Sequence, residues 1–206
     1  MPDDRNFDLW SDGYGASIHL LEDNDEYPVA GYARLLNEVY QKVRSSDARK
    51  ILDAGFGTGI LTRKLYQDGY ESYGVDASEQ MVAAGKESMP NATLKMADYS
   101  MGLPLSLMHT EYDMIISTYA LHHLDHYEKV SLINDMLRQL KDGGEIIIGD
   151  LAFECRREMK QFRKENKENW LYEDMYMLHE ECSKDFPNAK WTKISKCAGI
   201  VEIFKD

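Results

Sequence analysis

The sequence has few cysteines, no long apolar run and no targeting segment. Cys155, Cys182 and Cys197 are its only three cysteines and form no C-x-x-C pair, so neither a zinc site nor a disulfide framework is predicted. No apolar run approaches the roughly 18 residues that span a bilayer. Residues 1–5 lack the basic and apolar character of a secretion signal. We therefore expect a cytoplasmic protein without a membrane partner.

The sequence also has fewer basic residues than acidic ones. The 206-residue chain carries 24 Lys and Arg against 36 Asp and Glu, a formal net charge of −12. Proteins that bind nucleic acid neutralise phosphates with clustered Lys and Arg, so this balance disfavours a nucleic-acid partner. The basic residues between 156 and 167 alternate with glutamates, which is typical of a solvated helix face. A small molecule is the expected partner.

Glycines at alternate positions follow the first apolar run. Residues 51–59 are ILDAGFGTG, in which the run ends at Asp53 and the glycines are Gly55, Gly57 and Gly59. A helical segment follows, so the pattern predicts a strand, a tight turn and a helix, the opening unit of a nucleotide-binding α/β sheet. Glycine permits a positive φ and allows a ligand close to the backbone. The dinucleotide fingerprint G-x-G-x-x-G has a different spacing.

The order D-x-G-x-G-x-G resembles the first motif of class I S-adenosylmethionine (AdoMet)-dependent methyltransferases. A plain structural βα turn is the alternative interpretation of the glycines. The segment STYALHHL at 117–124 adds to the resemblance. Similar segments occur in the part of the family that acts on small metabolites and quinone precursors, and in uncharacterised bacterial methyltransferases. The resemblance covers residues 30–150 well, and the ends only by the order of their elements.

The resemblance implies an α/β fold of the Rossmann-like, doubly wound type. Its sheet is mostly parallel and seven-stranded, with an antiparallel last strand and helices on both faces. The spacing of apolar residues predicts helices over 29–43, 125–140 and 170–181. Strands are predicted over 51–53, 72–76, 93–98, 112–124 (running into a loop), 145–150, 190–196 and 198–205.

The length suits one domain over residues 1–206, as a monomer or a homodimer. Within it we expect an N-terminal helical cap segment over 1–48 and a cofactor-binding core over 49–150. Residues 151–206 are expected to form a helical insertion and a closing pair of strands.

Acidic residues end three successive predicted strands, at Asp53, Asp76 and Asp98. Because open α/β sheets bind ligands at the carboxyl ends of their strands, we expect these side chains to surround one site. The resemblance implies that Asp76 binds both ribose hydroxyls, Asp98 the adenine amino group, and Asp53, through water, the methionine ammonium. The alternative for Asp76 is a cap or turn acid, and the alternative for Asp98 is an ordinary loop aspartate. The other residues expected at AdoMet are Gly55, Gly57, Gly59, Ala77, Met81, Tyr99, Thr118, Tyr119 and Tyr14.

His122 and His123 are the expected catalytic residues. An unperturbed histidine titrates near pH 6.5, which suits proton transfer, and one of the two rings is expected to face the methyl group. Which of them does so is open, and the alternative is that both pack or cap the following helix. No His-Asp-Glu constellation of the catechol type is present. The predicted enzyme is therefore free of metal.

The resulting prediction is an AdoMet-dependent methyltransferase that acts on a small molecule. The sulfonium of AdoMet is a good leaving group, so the protein mainly aligns the reactants for in-line displacement and excludes water. The Pro-Pro and Pro-Cys segments of nucleic-acid methylating enzymes do not follow the fourth strand. The alternatives are a non-catalytic AdoMet-binding regulator and an NAD(P)-dependent Rossmann oxidoreductase, which would require other glycine spacing and a Tyr-x-x-x-Lys pair.

Overall fold

Strands and helices alternate along the chain. The computed structural model describes residues 27–172 and 175–205. The helices are α1 Tyr32–Arg44, α2 Ile60–Gln67, α3 Glu79–Ser88, α4 His126–Gln139, α5 Arg156–Glu165 and α6 His179–Asp185. The strands are β1 Lys50–Ala54, β2 Glu71–Asp76, β3 Thr93–Met96, β4 Tyr112–Thr118, β5 Leu140–Phe153, β6 Met177–Leu178, β7 Lys190–Lys193 and β8 Ala198–Phe204. Short 3₁₀ helices lie at Tyr99–Met101 and Leu121–His123.

The strands form one sheet in the order β3-β2-β1-β4-β5-β8-β7, and the short β6 pairs with β5. Strands β1 to β5 are mutually parallel, and β8 runs antiparallel to β5. The chain moves outward in one direction from β1 and in the other from β4. The two central strands therefore mark the topological switch point, where sheets of this type bind ligands. The predicted fold class is confirmed, with β6 as an additional strand.

Both faces of the sheet are buried. Ile146 and Ile148 of β5 belong to the hydrophobic cluster that contains α4, whereas Ile147 belongs to the cluster under α1 and α2. Successive side chains of a strand point to opposite faces, which explains this alternation. All three isoleucines are 0% exposed, and burial of such a side chain stabilises by about 1.5–3 kcal/mol. Cores on two faces hold the strand ends in fixed relative positions.

Helix α4 begins where the sequence predicts, directly after the loop that follows β4. The Asp125 carboxylate accepts a hydrogen bond from the Glu128 N–H at 2.9 Å, and the Glu128 carboxylate accepts one from the Asp125 N–H at 2.7 Å. This reciprocal capping box satisfies two amides at the helix start, each of which would otherwise lack a partner. The cap fixes the point at which the 117–124 segment ends.

The helix predicted over 170–181 is wrong for most of its length. Residues 170–172 and 175–176 are not helical, 177–178 form β6, and α6 begins at His179. The Trp170 and Tyr176 rings stack with their centroids 4.5 Å apart, and Tyr27 stacks on Trp170 at 5.9 Å. The aromatic spacing thus reflects packing from several directions, and not one apolar helix stripe. Strand β5 is also longer than the predicted 145–150.

The division of the chain into residues 1–48, 49–150 and 151–206 remains a prediction. In residues 27–172 and 175–205, none of the helices combines the length and apolar character required to cross a bilayer.

Candidate functional site

The turn between β1 and α2 lies at the carboxyl edge of the sheet. Gly55, Gly57 and Gly59 have φ values of 80°, 54° and 73°, in the left-handed region that favours glycine. A β-carbon on Gly55 would lie 2.3 Å from the Ala120 Cβ, so a side chain does not fit there. A β-carbon on Gly57 would meet nothing within 4 Å. The backbone at Gly57 therefore faces open space that a ligand can enter, and Gly59 is the N-cap of α2.

Asp53 lies near the end of β1 and is 1% exposed. Its Oδ2 accepts a hydrogen bond from Thr62 Oγ1 of α2 at 2.5 Å. Its Oδ1 is buried and has no hydrogen-bond partner in the described part of the chain. Burial raises the pKa of Asp53 to about 7, the Thr62 bond opposes the rise, and the negative charge of Asp76 adds to it. An unpaired buried oxygen is costly, so this atom is suited to a donor supplied by a ligand.

Asp76 ends β2 with its carboxylate directed at the glycine turn. Its two oxygens accept hydrogen bonds from the N–H groups of Gly57 and Ser78, each at 2.8 Å. Carboxylate oxygens have further lone pairs, so the group can still accept from a pair of hydroxyls. Of the two neighbours predicted to bind the cofactor, Ala77 is exposed and Met81 is half-buried against α3 and β3.

Asp98 is at the same edge of the sheet but faces solvent. It follows β3, and its Oδ1 accepts a hydrogen bond from the Ser100 N–H at 3.0 Å, which caps the 3₁₀ helix. The hydrogen bonds from Ser100 hold the pKa of Asp98 below its usual range. The local contact of Asp98 is thus a helix cap, which the sequence analysis did not predict for it.

Tyr99 follows β3, and its side chain extends to the glycine turn that follows β1. It is half-buried, and its hydroxyl would lie 3.1 Å from a β-carbon on Gly55. Burial raises the pKa of Tyr99 to about 12, with further contributions from the carboxylates of Asp76, Asp150, Asp53 and Asp98. Tyr99 is thus close enough to these four carboxylates for their charges to affect its pKa. The Tyr99 hydroxyl is therefore near the glycine turn, and the site roles of these acids stay predictions.

The end of β4 has an unusual backbone. After Thr118, Tyr119 has a φ of 50°, the only positive value for a residue other than glycine in the described ranges. Its ring packs on Tyr32 of α1 with centroids 4.9 Å apart, and its hydroxyl is buried without a hydrogen-bond partner among the described residues. Burial is the main cause that raises the pKa of Tyr119. Strained backbone and unsatisfied polar groups occur preferentially at functional sites.

His122 is held by a buried carboxylate, that of Asp150 in β5. The Asp150 Oδ1 lies 2.7 Å from the His122 Nδ1. The Asp150 Oδ2 accepts from the N–H groups of Leu121 at 2.8 Å and His122 at 3.0 Å, and Oδ1 also accepts from Leu151 at 2.7 Å. A carboxylate on Nδ1 favours the tautomer with its hydrogen there, so Nε2 is the basic nitrogen of the ring.

The two histidines differ in their surroundings. The His122 side chain is 11% exposed, whereas His123 is exposed to solvent with its ring 4.0 Å from that of His122. The carbonyl of His122 also accepts a hydrogen bond from the Met175 N–H at 2.7 Å. The geometry therefore favours His122 as the oriented base, and the catalytic role of both residues stays a prediction.

Comparison with known proteins identifies the family. A family model described as a methyltransferase domain matches residues 51–144. An uncharacterized methyltransferase of Geobacillus sp. (strain WCH70) is 33% identical over 166 residues, which cover 81% of this chain and 75% of the relative. Another, from Anoxybacillus flavithermus, is 33% identical over 147 residues, which cover 71% of this chain and 66% of the relative. This chain belongs to the methyltransferase family.

Solved structures support the same assignment at the level of the fold. A magnesium protoporphyrin IX methyltransferase from Synechocystis PCC 6803 with bound SAH has a TM-score of 0.68 at 18% identity, over 95% of each chain. A SAM-bound amino pentose methyltransferase from Micromonospora echinaspora has a TM-score of 0.63 at 13% identity, over 83% of this chain and 90% of that one. The resemblance noted in the sequence is thereby confirmed.

The residues of this methyltransferase fit AdoMet as the ligand of the glycine turn. The unpartnered Oδ1 of Asp53 suits a cationic ammonium, and open space at Gly57 admits a ligand against the backbone. Asp76 presents its carboxylate beside that turn. Tyr14, which is also predicted to touch the ligands, lies outside the described residues.

Two residues of the site are absent from the sequence predictions. Asp150 ends a predicted strand, so the rule that selects Asp53 and Asp76 could have found it. Lys129 lies on the buried face of α4, where a charged residue is unusual. Its Nζ donates hydrogen bonds to the carbonyls of Leu124 and, at 2.6 Å, Met175. Burial lowers the pKa of Lys129 to about 8, although the acids nearby oppose this.

Replacement of Asp53 by Asn is expected to stabilise the ligand-free protein relative to wild type at pH 8. The pKa of Asp53 is about 7 in the folded protein, against an ordinary 3.8, so between about pH 4 and pH 7 the unfolded chain ionises while the folded carboxyl stays protonated, which costs folding free energy that stays lost above pH 7. The gain should be at most about 4 kcal/mol at pH 8 and disappear as the pH falls towards 4. Denaturant unfolding of both proteins across this pH range measures it.

The exposed Asp47 provides the matched control, because Asp47→Asn removes a carboxylate that is not buried. Its unfolding free energy should follow that of wild type at each pH. A difference between Asp53→Asn and wild type that is the same at pH 4.5 and pH 8 would contradict the raised pKa.

Proposed function

We propose that this protein is an AdoMet-dependent methyltransferase whose acceptor is a small molecule with an ionisable hydroxyl or amine. The observation that carries the proposal is the His122–Asp150 pair, fixed at the edge of the sheet where the glycine turn and Asp76 also lie. Binding of AdoMet alone does not require a histidine whose tautomer is fixed by a carboxylate, whereas proton transfer from an acceptor does. The net charge of −12 supports a small molecule over a nucleic acid as the acceptor.

The cofactor is S-adenosylmethionine, which supplies a methyl group on a positively charged sulfur. In our proposal the Asp53 carboxylate binds its ammonium group and the Asp76 carboxylate its ribose hydroxyls, as charge-assisted hydrogen bonds. Asp98 and Tyr99 contact the base in this proposal, which their position at the same edge of the sheet supports. The glycine turn, from Gly55 to Gly59, allows its backbone to lie against the ligand.

His122 provides the acid–base step. Its Nε2 accepts the proton that the acceptor loses when its oxygen or nitrogen attacks, and the buried Asp150 stabilises the imidazolium that results. Asp150 also holds the backbone of Leu121 and His122, so the ring is positioned before the acceptor arrives. Positioning of this kind is the main contribution that a protein makes to a displacement with a good leaving group.

His122→Ala is expected to lower kcat by about 100-fold or more for an acceptor that must lose a proton, because general-base catalysis contributes about 10²–10⁴. The affinity for AdoMet should stay within about twofold, since His122 acts on the acceptor. Release of S-adenosylhomocysteine over a panel of phenols, alcohols and amines measures turnover, and calorimetric titration measures AdoMet binding.

His109→Ala is the matched control, because His109 is exposed on the loop before β4. It should leave both quantities unchanged, and His123→Ala should reduce kcat less than His122→Ala. Full turnover by His122→Ala would remove this residue from catalysis. AdoMet binding without turnover of any acceptor in the wild-type protein would favour the non-catalytic regulator.

Asp76→Ala is expected to weaken AdoMet binding by about 1.5–3 kcal/mol, roughly 10- to 150-fold in Kd, through loss of a bidentate charge-assisted contact. Calorimetry at one salt concentration gives the ratio. Asp142→Ala serves as the control, because Asp142 is 97% exposed and lies near the opposite end of β5. Unchanged affinity in a folded Asp76→Ala protein would exclude the ribose role.

A further inference from the structure

A cavity of about 290 Å³ lies apart from the glycine turn, among α4, α5, α6 and residues 170–172 and 175–178. None of Asp53, Asp76, Tyr99 and His122 lines it. Its volume approaches that of pockets that hold small ligands, about 300–1,000 Å³. The cavity is therefore a second place in this molecule where a small molecule fits.

The wall of this cavity is aromatic and sulfur-rich. Trp170 and Tyr176, which stack on each other, line it together with Met159, Met175 and Met177. Thioethers pack favourably against aromatic rings and adapt to their shape. Flat apolar surfaces of this kind are suited to a planar ring system.

Large apolar side chains are exposed at the same segment. Tyr172 is 66% exposed and Met175 is 48% exposed, and both line the cavity. Contiguous exposed apolar surface on a folded protein indicates a binding site. These residues are well placed to cover an occupant of the cavity.

The charges on the wall do not balance. Arg156 forms an ion pair with Glu181, and His126 lies 3.3 Å from Asp185. Arg163 contacts rings, 4.9 Å from the centroid of Tyr172 and 5.9 Å from that of Trp170, and has no carboxylate at ion-pair distance among the described residues. Among the described residues that line the cavity, the positive charge of Arg163 therefore has no carboxylate partner.

Lys129 is the second cation of the wall. Its ammonium donates to the carbonyls of Leu124 and Met175, and an ammonium has three donors, so one remains for a ligand. Burial lowers the pKa of Lys129 to about 8, against the effect of Asp150, Asp125 and Glu128. An ammonium that burial in an apolar wall destabilises is stabilised by an anionic ligand that hydrogen-bonds to it.

We propose that this cavity binds a planar aromatic carboxylate, with its ring among Trp170, Tyr176 and the methionines and its anion at Lys129 and Arg163. The site is distinct from the glycine turn, but one of its lining residues contacts the loop after β4, residues 119–125. Met175 joins the two, because its N–H donates to the His122 carbonyl at 2.7 Å while its own carbonyl accepts from Lys129.

The test uses two probes of nearly equal shape, 2-naphthoate and the neutral 2-naphthylmethanol, in calorimetric titrations of the full chain. We expect 2-naphthoate to bind at one site about 10-fold or more tightly than the alcohol, the value of a charge-assisted contact. Lys129→Met should remove this preference and leave binding of the alcohol unchanged. Binding of 2-naphthoate should quench the tryptophan fluorescence of the wild-type protein, and Trp170→Phe should remove the share of this quenching that comes from Trp170.

Arg163→Gln is the second variant, because Lys129→Met also removes two hydrogen bonds and could fail to fold. Arg163 is exposed, so this protein is expected to fold and to lose several-fold in affinity for 2-naphthoate alone. Lys86→Met, on the remote α3, should behave as wild type. Equal binding of the two probes, or a preference that survives in Arg163→Gln and Lys129→Met, would overturn the proposal.

Self-association of the chain is the remaining outcome to distinguish. Sedimentation of wild type and Tyr172→Ser measures it without any probe. If no probe binds and Tyr172→Ser dissociates a dimer, the apolar segment is a subunit interface and the proposed site is wrong.

Discussion

The Asp150 carboxylate, buried at the end of β5, accepts hydrogen bonds from the amides of Leu121, His122 and Leu151 and contacts the His122 ring. A buried carboxylate with so many partners is stable only while each of them stays in place, because an unmade hydrogen bond there costs about 1–3 kcal/mol. The loop after β4 therefore has one arrangement relative to β5. The orientation of the imidazole and the approach of Ala120 to Gly55 both follow from it.

Asp53 is buried to the same degree as Asp150 but has far fewer hydrogen-bond partners. One of its oxygens has only Thr62 as a partner and the other has none in the described part of the chain, so burial raises its pKa to about 7. Asp150 is stabilised by its hydrogen bonds, whereas Asp53 has an acceptor oxygen without a partner among the described residues, which lowers the stability of the fold. Sites that bind charged groups commonly carry this cost.

The loop after β4, residues 119–125, is held by contacts with two parts of the protein. Asp150 holds it from the sheet, and on the other side Met175 and Lys129 connect it to the aromatic segment. An occupant of the cavity among α4, α5 and α6 would contact Lys129 and Met175, which bond to Leu124 and His122. Three hydrogen bonds, from Met175 to His122 and from Lys129 to Leu124 and Met175, thus connect the cavity directly to the loop that carries His122.

The sequence by itself determined the fold class, the order of strands and helices from α1 to β5, the glycine turn and the acids at the ends of β1, β2 and β3. These features depend on local periodicity and on residues within one turn of each other, which a single sequence contains. The partnership of His122 with Asp150, 28 residues apart in sequence, was decided only by the pairing of β4 with β5. The same is true of residues 170–172 and 175–178, where Trp170 stacks on Tyr27, more than 140 residues earlier in the chain, instead of joining a helix. Contacts of this kind depend on which surfaces tertiary packing brings together, and no local pattern encodes them.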